Sequence, residues 1–178
     1  VNLYLRFLKL LLLLPFVARR DVFAESRIAF RVWPLDCDLN LHMNNGRYLT
    51  FMDLGRLHLI AQNGMGRLLL KNRWAPVLSA AEINYIRPLD PFQRFELVTR
   101  LLTWDEKYFY IEQRFERDDT VHAIATVRGL FLKGGRRVPS ADIPRALGLD
   151  LAPPEMPAVV SHWKELTALK KEQSARLG

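Results

Sequence analysis

The chain has 178 residues, 49% of them hydrophobic and 25% charged, which suits one globular domain with appendages and excludes a disordered chain. Its net charge is +7, yet Arg6, Lys9, Arg19 and Arg20 stand in the first twenty residues with no acid among them. The basic excess therefore belongs to a terminal segment and not to a stripe on the body, which argues against nucleic acid as a partner and for a membrane surface.

Residues 1–25 open with a leucine-rich run that Arg6, Lys9 and Pro15 interrupt. A membrane-spanning helix needs about 20 apolar residues, and this run is too short and too broken for one. It is read as a basic apolar helix lying on a membrane surface, with a helix packed on its own domain and a cleaved signal peptide as the alternatives. The domain proper is expected over residues 26–135. Ile28 to Trp33 has the β-branched and aromatic content of a strand that Pro34 ends, and 36–45 is a polar loop. A helix is predicted from Gly46 to Asn63, stopped by Gly64 and Gly66, with apolar residues over most of its circumference and so buried on nearly all sides. Arg67 to Lys71 adds a short helical turn.

From Trp74 the pattern changes to strands, predicted near 74–86, 93–104, 107–117 and 120–133. Phe109, Ile111, Gln113 and Phe115 alternate with Tyr110, Glu112, Arg114 and Glu116, the period-two signature of a sheet with one wetter face. Ala123, Ala125 and Val127 form a small-residue face that lets a helix approach closely. The two-residue breaks at Asp105-Glu106 and Asp118-Asp119 predict antiparallel hairpins. Gly134-Gly135-Arg136-Arg137 is expected to end the sheet. Residues 136–178 follow as a proline-punctuated extension and a C-terminal helix from Ser161, its expected N-cap, to Arg176. One strand, one long helix and four antiparallel strands make an α+β plan. A single sheet rarely covers a helix completely, so a homodimer or dimer of dimers is expected.

The segment from Asp36 to Tyr48 (Asp-Cys-Asp-Leu-Asn-Leu-His-Met-Asn-Asn-Gly-Arg-Tyr) packs two carboxylates, an imidazole and three carboxamides in front of that helix. A polar cluster at a helix N-terminus suits an oxyanion. Asp36-Cys37-Asp38, then His42-Met43-Asn44-Asn45-Gly46-Arg47-Tyr48, then Asp53 and Arg56, resemble the hotdog-fold acyl-CoA thioesterases of the 4-hydroxybenzoyl-CoA thioesterase-like branch. A second block, Glu82-Ile83-Asn84-Tyr85-Ile86-Arg87-Pro88-Leu89, is similar to that family's second-strand signature. The likeness covers roughly residues 26–133. It implies a hotdog fold, one long central helix wrapped by a curled antiparallel sheet of about five strands. It also implies hydrolysis of an acyl-CoA or acyl-carrier thioester, with coenzyme A as part of the substrate and no separate cofactor. Many relatives carry Gly immediately before the His, where this chain has Leu41. The basic apolar N-terminus resembles a membrane-associated subgroup.

Thioester hydrolysis needs a nucleophile or a base for water, and donors for the oxyanion. Asp38 matches the family's catalytic acid; the bland alternative is a loop Asp making an Asx turn. Asp36 is assigned to bracing the loop. His42 contacts the thioester, orients Asp38, or is a hydrogen-bonded loop histidine. Asn45, Gly46 and Arg47 are the expected oxyanion and substrate donors through their backbone N–H groups, with one of Asn44 and Asn45 capping the helix. Asp53 is a second-choice acid, or else the partner of Arg56. Tyr48 is expected in the core or at a dimer contact. Cys37, between two acids, has a raised pKa and is set aside as a nucleophile. It is the only cysteine, which excludes an intrachain disulfide and favours a cytoplasmic location, peripheral at a membrane. No His, Cys and Asp spacing suggests a metal. Arg87, Arg94, Arg100, Lys133, Arg136 and Arg137 are candidates for coenzyme A phosphates. A non-catalytic acyl- or lipid-binding hotdog dimer at a membrane is the alternative function, and a hotdog dehydratase or hydratase a third.

Overall fold

The structure, a computed structural model, describes residues 2–177. Val1 and Gly178, the outermost residues of the expected 1–25 and 136–178 segments, lie outside the described residues. In chain order come α1 (Asn2–Leu13), a 3-10 turn at Leu14–Phe16, β1 (Ser26–Arg31), a second 3-10 turn at Pro34–Asp36, α2 (Asn45–Gln62) and α3 (Met65–Asn72). Then follow β2 (Ala75–Tyr85), β3 (Arg94–Trp104), β4 (Phe109–Arg117), β5 (Thr120–Lys133), β6 (Arg136–Val138), α4 (Asp142–Ala146) and α5 (Ala158–Leu177). The sheet runs β1-β3-β4-β5-β2 with every pair antiparallel. Register shifts at Leu78/Ala80, Leu101/Thr103 and Phe115/Glu116 mark bulges, which bend the strands and curl the sheet about α2. This is the α+β hotdog arrangement.

The period-two pattern of β4 decides which face meets the helix. Phe115 and Gln113 are buried against α2, while Glu112, Arg114 and Glu116 point outward. There Arg114 pairs with Glu25, Glu112 and Glu116 at 2.6 to 2.7 Å. Ala123 and Ala125 are buried in the same core, the small-residue face the sequence predicts. Asp118 and Asp119 both take positive φ (49° and 57°), as a two-residue hairpin turn demands. Gly134 and Gly135 do the same (55° and 78°), so the chain folds back and β6 pairs with β5. The sheet therefore continues past the point where the sequence places its end. A Gly-Gly pair reads as a terminator only if no strand follows, and Arg136–Val138 is too short to show a period.

α2 buries Tyr48, Phe51, Met52, Leu54, Gly55, Leu59 and Gln62. Its other side is not buried as expected: Asn45, Gly46, Leu49 and Asp53 stay exposed, because one curled sheet covers one flank only. Gly55 sets the helix-to-sheet distance. A Cβ there would lie 2.7 Å from Leu97 and Thr99 side chains and 2.9 Å from that of Gln113. Gln113, fully buried, is satisfied at the same spot: it accepts from Arg56 at 2.7 Å and donates to the Met52 carbonyl and Thr99 Oγ1, both at 3.0 Å. Gly55→Val is expected to cost about 3 kcal/mol by overpacking this contact. The urea midpoint measures it, and an unchanged midpoint would mean that the helix does not sit this close.

α1 packs on α2 with Arg6 turned inward. Leu10 is buried, Leu3 and Leu14 touch the core, and the Arg6 guanidinium lies 4.5 Å from the Phe51 ring centroid. Tyr4, Leu5, Leu8, Leu12 and Phe16 face outward. No helix among the described residues is long and apolar enough to cross a membrane. On the opposite face of the sheet, α5 sets Val160 and Trp163 on Tyr110. It begins at Ala158, earlier than the expected Ser161. Pro157 starts the helix by accepting the Val160 and Ser161 N–H groups, and Ser161 Oγ donates to Ala158 from inside the first turn.

Candidate active site

The polar run folds as a tight hairpin that ends on the N-terminus of α2. Cys37 and Met43 bridge, Asp38 N–H donates to the His42 carbonyl (3.0 Å), Leu41 N–H to the Asp38 carbonyl (3.0 Å), and Asn44 N–H to the Asp36 carbonyl (2.8 Å). Met43 N–H donates to the Leu89 carbonyl at 2.8 Å, which ties the hairpin to the turn after β2. The turn requires φ of +60° at Leu41. That is the left-handed conformation glycine adopts freely and an L side chain adopts at a cost of about 1–2 kcal/mol. The departure from the family's glycine thus keeps the turn and stores strain in it.

Asp36 is the brace expected of it. It is buried, takes two bonds from Arg6 (2.7 and 3.1 Å) and one from the Trp33 N–H (2.9 Å), and lies 3.8 Å from Arg47 Nε. Asp38 sits half-buried at the tip. Its Oδ1 accepts the Asn40 N–H at 2.9 Å, an Asx turn, and Oδ2 has no hydrogen-bond partner among the described residues. The bond that joins His42 to Asp38 is a backbone one; the imidazole Nε2 lies 3.6 Å from Asp90 Oδ1 instead. Asp90 lies 48 residues after His42 in sequence, and no local signal in the sequence pairs the two. The Cys37 thiol is pushed up, chiefly by burial and then by Asp36, Asp38 and Asp90. Tyr48 is a core residue, raised to about 12 by burial, with its ring edge-on to Tyr85 at 5.0 Å.

The helix start sorts the three expected donors. Asn44 is the N-cap; its Oδ1 takes the Gly46 N–H (2.9 Å) and its carbonyl takes the Arg47 N–H (2.8 Å). Those two N–H groups are engaged, and the Arg47 side chain donates to the Leu35 carbonyl. The Asn45 N–H has no acceptor among the described residues, at the positive end of the helix dipole. The Asn45 carbonyl receives the Tyr85 hydroxyl at 3.1 Å, so the C-terminal end of β2 lies beside the helix start.

A second feature lies elsewhere. Between α2, α3, α4 and the sheet is an apolar cavity of about 360 Å³, lined by Leu57, Ile60, Leu78, Trp104, Phe109 and Phe131 among others. Asp53 and Arg56 are its polar residues on α2, paired with one another, and Phe7 of α1 closes on the same mouth. Burial pulls the Arg56 guanidinium down while Asp53 pulls it back up. Val77 and Leu78 place the cavity at the N-terminal end of β2. Of the expected site residues, only Asp53 reaches it. Asp38, His42, Asn45, Gly46 and Arg47 gather at the other end of β2. Such a cavity has no sequence signature, because six or more separate elements contribute to it. The expected phosphate-binding residues are not brought together either. Lys133, Arg136 and Arg137 share the β5–β6 hairpin, Arg100 pairs with Glu112 at 2.8 Å, and Arg87 and Arg94 stand apart and exposed.

Comparison with known proteins agrees with this fold. The profile of the thioesterase-like superfamily matches residues 32–164. Protein THEM6 of Xenopus laevis is 33% identical over 146 residues, covering 81% of this chain and 69% of that protein. A probable thioesterase of Saccharomyces cerevisiae is 29% identical over 107 residues, covering 58% of this chain and 46% of that one. The chain spans 58% of the Danio rerio THEM6 protein. Among solved structures, a probable thioesterase from Bartonella henselae superposes with a TM-score of 0.60 at 23% identity, covering 65% of this chain and 98% of that one. A gentisyl-coenzyme A thioesterase gives 0.58 at 18%, covering 69% and 99%. With a profile match over most of its length, this chain belongs to the thioesterase-like superfamily.

Proposed function

We propose that this chain hydrolyses acyl-CoA thioesters at a site shared between two copies. The observation that carries the reading is the state of β2. It is an edge strand, exposed along almost all of its 11 residues, with Pro76 near its start as an edge permits. The cavity lies at its Val77 end and the Asp38 hairpin at its Tyr85 end, roughly 26 Å along the strand at about 3.3 Å per residue. Within one copy the acyl slot and the carboxylate are too far apart to cooperate. Antiparallel pairing of β2 with β2 of a second copy about a two-fold axis reverses that. It sets the Tyr85 end of one copy, with Asp38 and Asn45, beside the Val77 end of the other.

In that arrangement the acyl group enters the partner's cavity. Asp38 takes a proton from water as the water oxygen bonds to the thioester carbon. The carbonyl oxygen becomes an oxyanion beside the Asn45 N–H and the α2 dipole. Collapse breaks the C–S bond, and the thiolate leaves with the proton that Asp38 took from the water, which restores the carboxylate. The β5–β6 hairpin, carrying Lys133, Arg136 and Arg137, lies at the cavity end and offers charge to the coenzyme A phosphates. An acyl-carrier donor would present the same thioester. The test is thiol release from a panel of acyl-CoAs by wild type and by Asp38 variants. No turnover on any of them, with acyl chains still bound, would favour the acyl-binding reading over the enzyme.

A second feature favours a peripheral place at a bilayer. α1 presents its leucines outward and hides Arg6, the reverse of an ordinary surface helix, and Phe16 beyond it is 83% exposed. With Lys9, Arg19 and Arg20 nearby, this face suits an anionic lipid surface. Flotation with phosphatidylserine vesicles is expected to recover wild type and to lose the Leu8→Glu/Leu12→Glu double variant. Equal flotation by both would defeat the proposal.

A further inference from the structure

The outer face of the sheet holds a charge that the reaction does not use. Arg128, on β5, is 8% exposed. Its guanidinium lies 4.7 Å from the Tyr108 ring centroid and 5.7 Å from that of Trp163 on α5. One NH group donates to Thr167 Oγ1 at 3.1 Å, and the Nε is buried with no partner. Among the described residues no carboxylate pairs with it, in contrast to Arg114 on the same face, which has three. A buried cation without a counter-charge or a full set of acceptors is costly.

Around Arg128 is a cleft of about 430 Å³ between α5 and the β3–β4 turn. It is also lined by Lys107, Lys164 and Lys171, against two acids, Asp105 and Glu106. Asp105 is already committed. Burial opposes its ionisation, but Lys164 at 2.8 Å, the N–H groups of Lys107 and Tyr108, and the Tyr110 hydroxyl outweigh that and hold its carboxyl at about 2. The cleft therefore keeps a positive excess with its deepest cation unpaired. The α2 cavity and the Asp38 hairpin are on the other face, so nothing here depends on the thioesterase reading.

We propose that this cleft binds a phosphate-bearing anion, with Arg128 as the buried anchor and Lys107, Lys164 and Lys171 around it. Guanidinium forks and ammonium groups together are the donor set phosphate takes, and the unfilled Nε is the donor that the anion would satisfy. The anion comes from a soluble phosphate or from a lipid headgroup, and the experiment has an arm for each. The full chain is titrated with inorganic phosphate at constant ionic strength by calorimetry, and is separately sedimented with phosphatidic acid vesicles in the Leu8→Glu/Leu12→Glu background, which removes the α1 face from the vesicle arm. The unaltered cleft is expected to bind one of the two saturably. Lys171→Glu and Lys107→Glu, at solvent-accessible positions, are each expected to weaken that binding about tenfold, and Arg128→Lys by more. Loss in the variants of phosphate binding assigns a soluble anion, and loss of vesicle binding alone a headgroup; both support the site. Saturable binding of neither probe, or binding by Lys171→Glu and Lys107→Glu equal to that of the unaltered cleft, overturns it. The lysine variants keep the test open should Arg128→Lys fail to fold.

Discussion

Asp38→Asn is expected to lower kcat/KM on a good acyl-CoA substrate by about 10²–10⁴-fold, the range for loss of a general base. The amide keeps an oxygen to accept the Asn40 N–H, so the Asx turn survives and the charge alone is removed. The loss should fall on kcat, because in the proposed reaction Asp38 acts on the water and not on the acyl chain. Asp53→Asn makes the informative contrast. Asp53 is tied to Arg56 at the cavity mouth, with 70% of its side chain exposed. It is expected to shift KM for long acyl groups and to leave kcat within a few-fold. Thiol release measures both. Turnover by Asp38→Asn equal to wild type, with Asp53→Asn inactive, would move the chemistry onto α2.

Two inactive proteins mixed together are expected to regain activity. If the carboxylate of one copy serves the cavity of the other, Asp38→Asn and a cavity-filling Val77→Trp damage different halves of each site. A mixed dimer then has one site with both defects and one with neither. After equal mixing and exchange, roughly a quarter of wild-type activity should return, since half of the dimers are mixed and each has one sound site of two. A double variant carrying both changes on one chain, mixed with wild type, is the control for exchange. Failure of the two single variants to complement, while exchange proceeds, would place carboxylate and cavity in one copy and remove the β2 argument.

Most of the fold was legible because its signals are local. The alternation of β4 and the small face of β5 have a period of two, and both met α2 as read. The Asp118-Asp119 break became a hairpin because polar residues tolerate positive φ. What escaped depended on partners far away in sequence. Arg6 reads as a basic residue spoiling an apolar helix, and only Asp36, thirty residues on, turns it inward. The exposed flank of α2 escaped because Leu49 looks the same in sequence as its buried neighbours.

The site divided along the same line. The bracing role of Asp36 was legible from its place as the first acid of the short motif, and the structure buries it on Arg6 while Asp38 stays half-buried at the tip. Choosing Asn45 over Gly46 and Arg47 required knowing that Asn44 takes both of their N–H groups, which is geometry and not composition. The cavity and the Arg128 cleft required the tertiary fold, since their walls come from strands and helices spread over most of the chain.

The Arg6–Asp36 pair gives the molecule a mechanical linkage. The outward leucines of α1 and the hairpin that carries Asp38 hang from the same buried carboxylate. A displacement of α1 therefore bears on the loop that carries Asp38 through this ion pair, beside the packing of Leu10 and Phe51 in the core. On the reading proposed above, anchorage and reactivity are therefore coupled at one buried carboxylate, and repositioning either bears on the other.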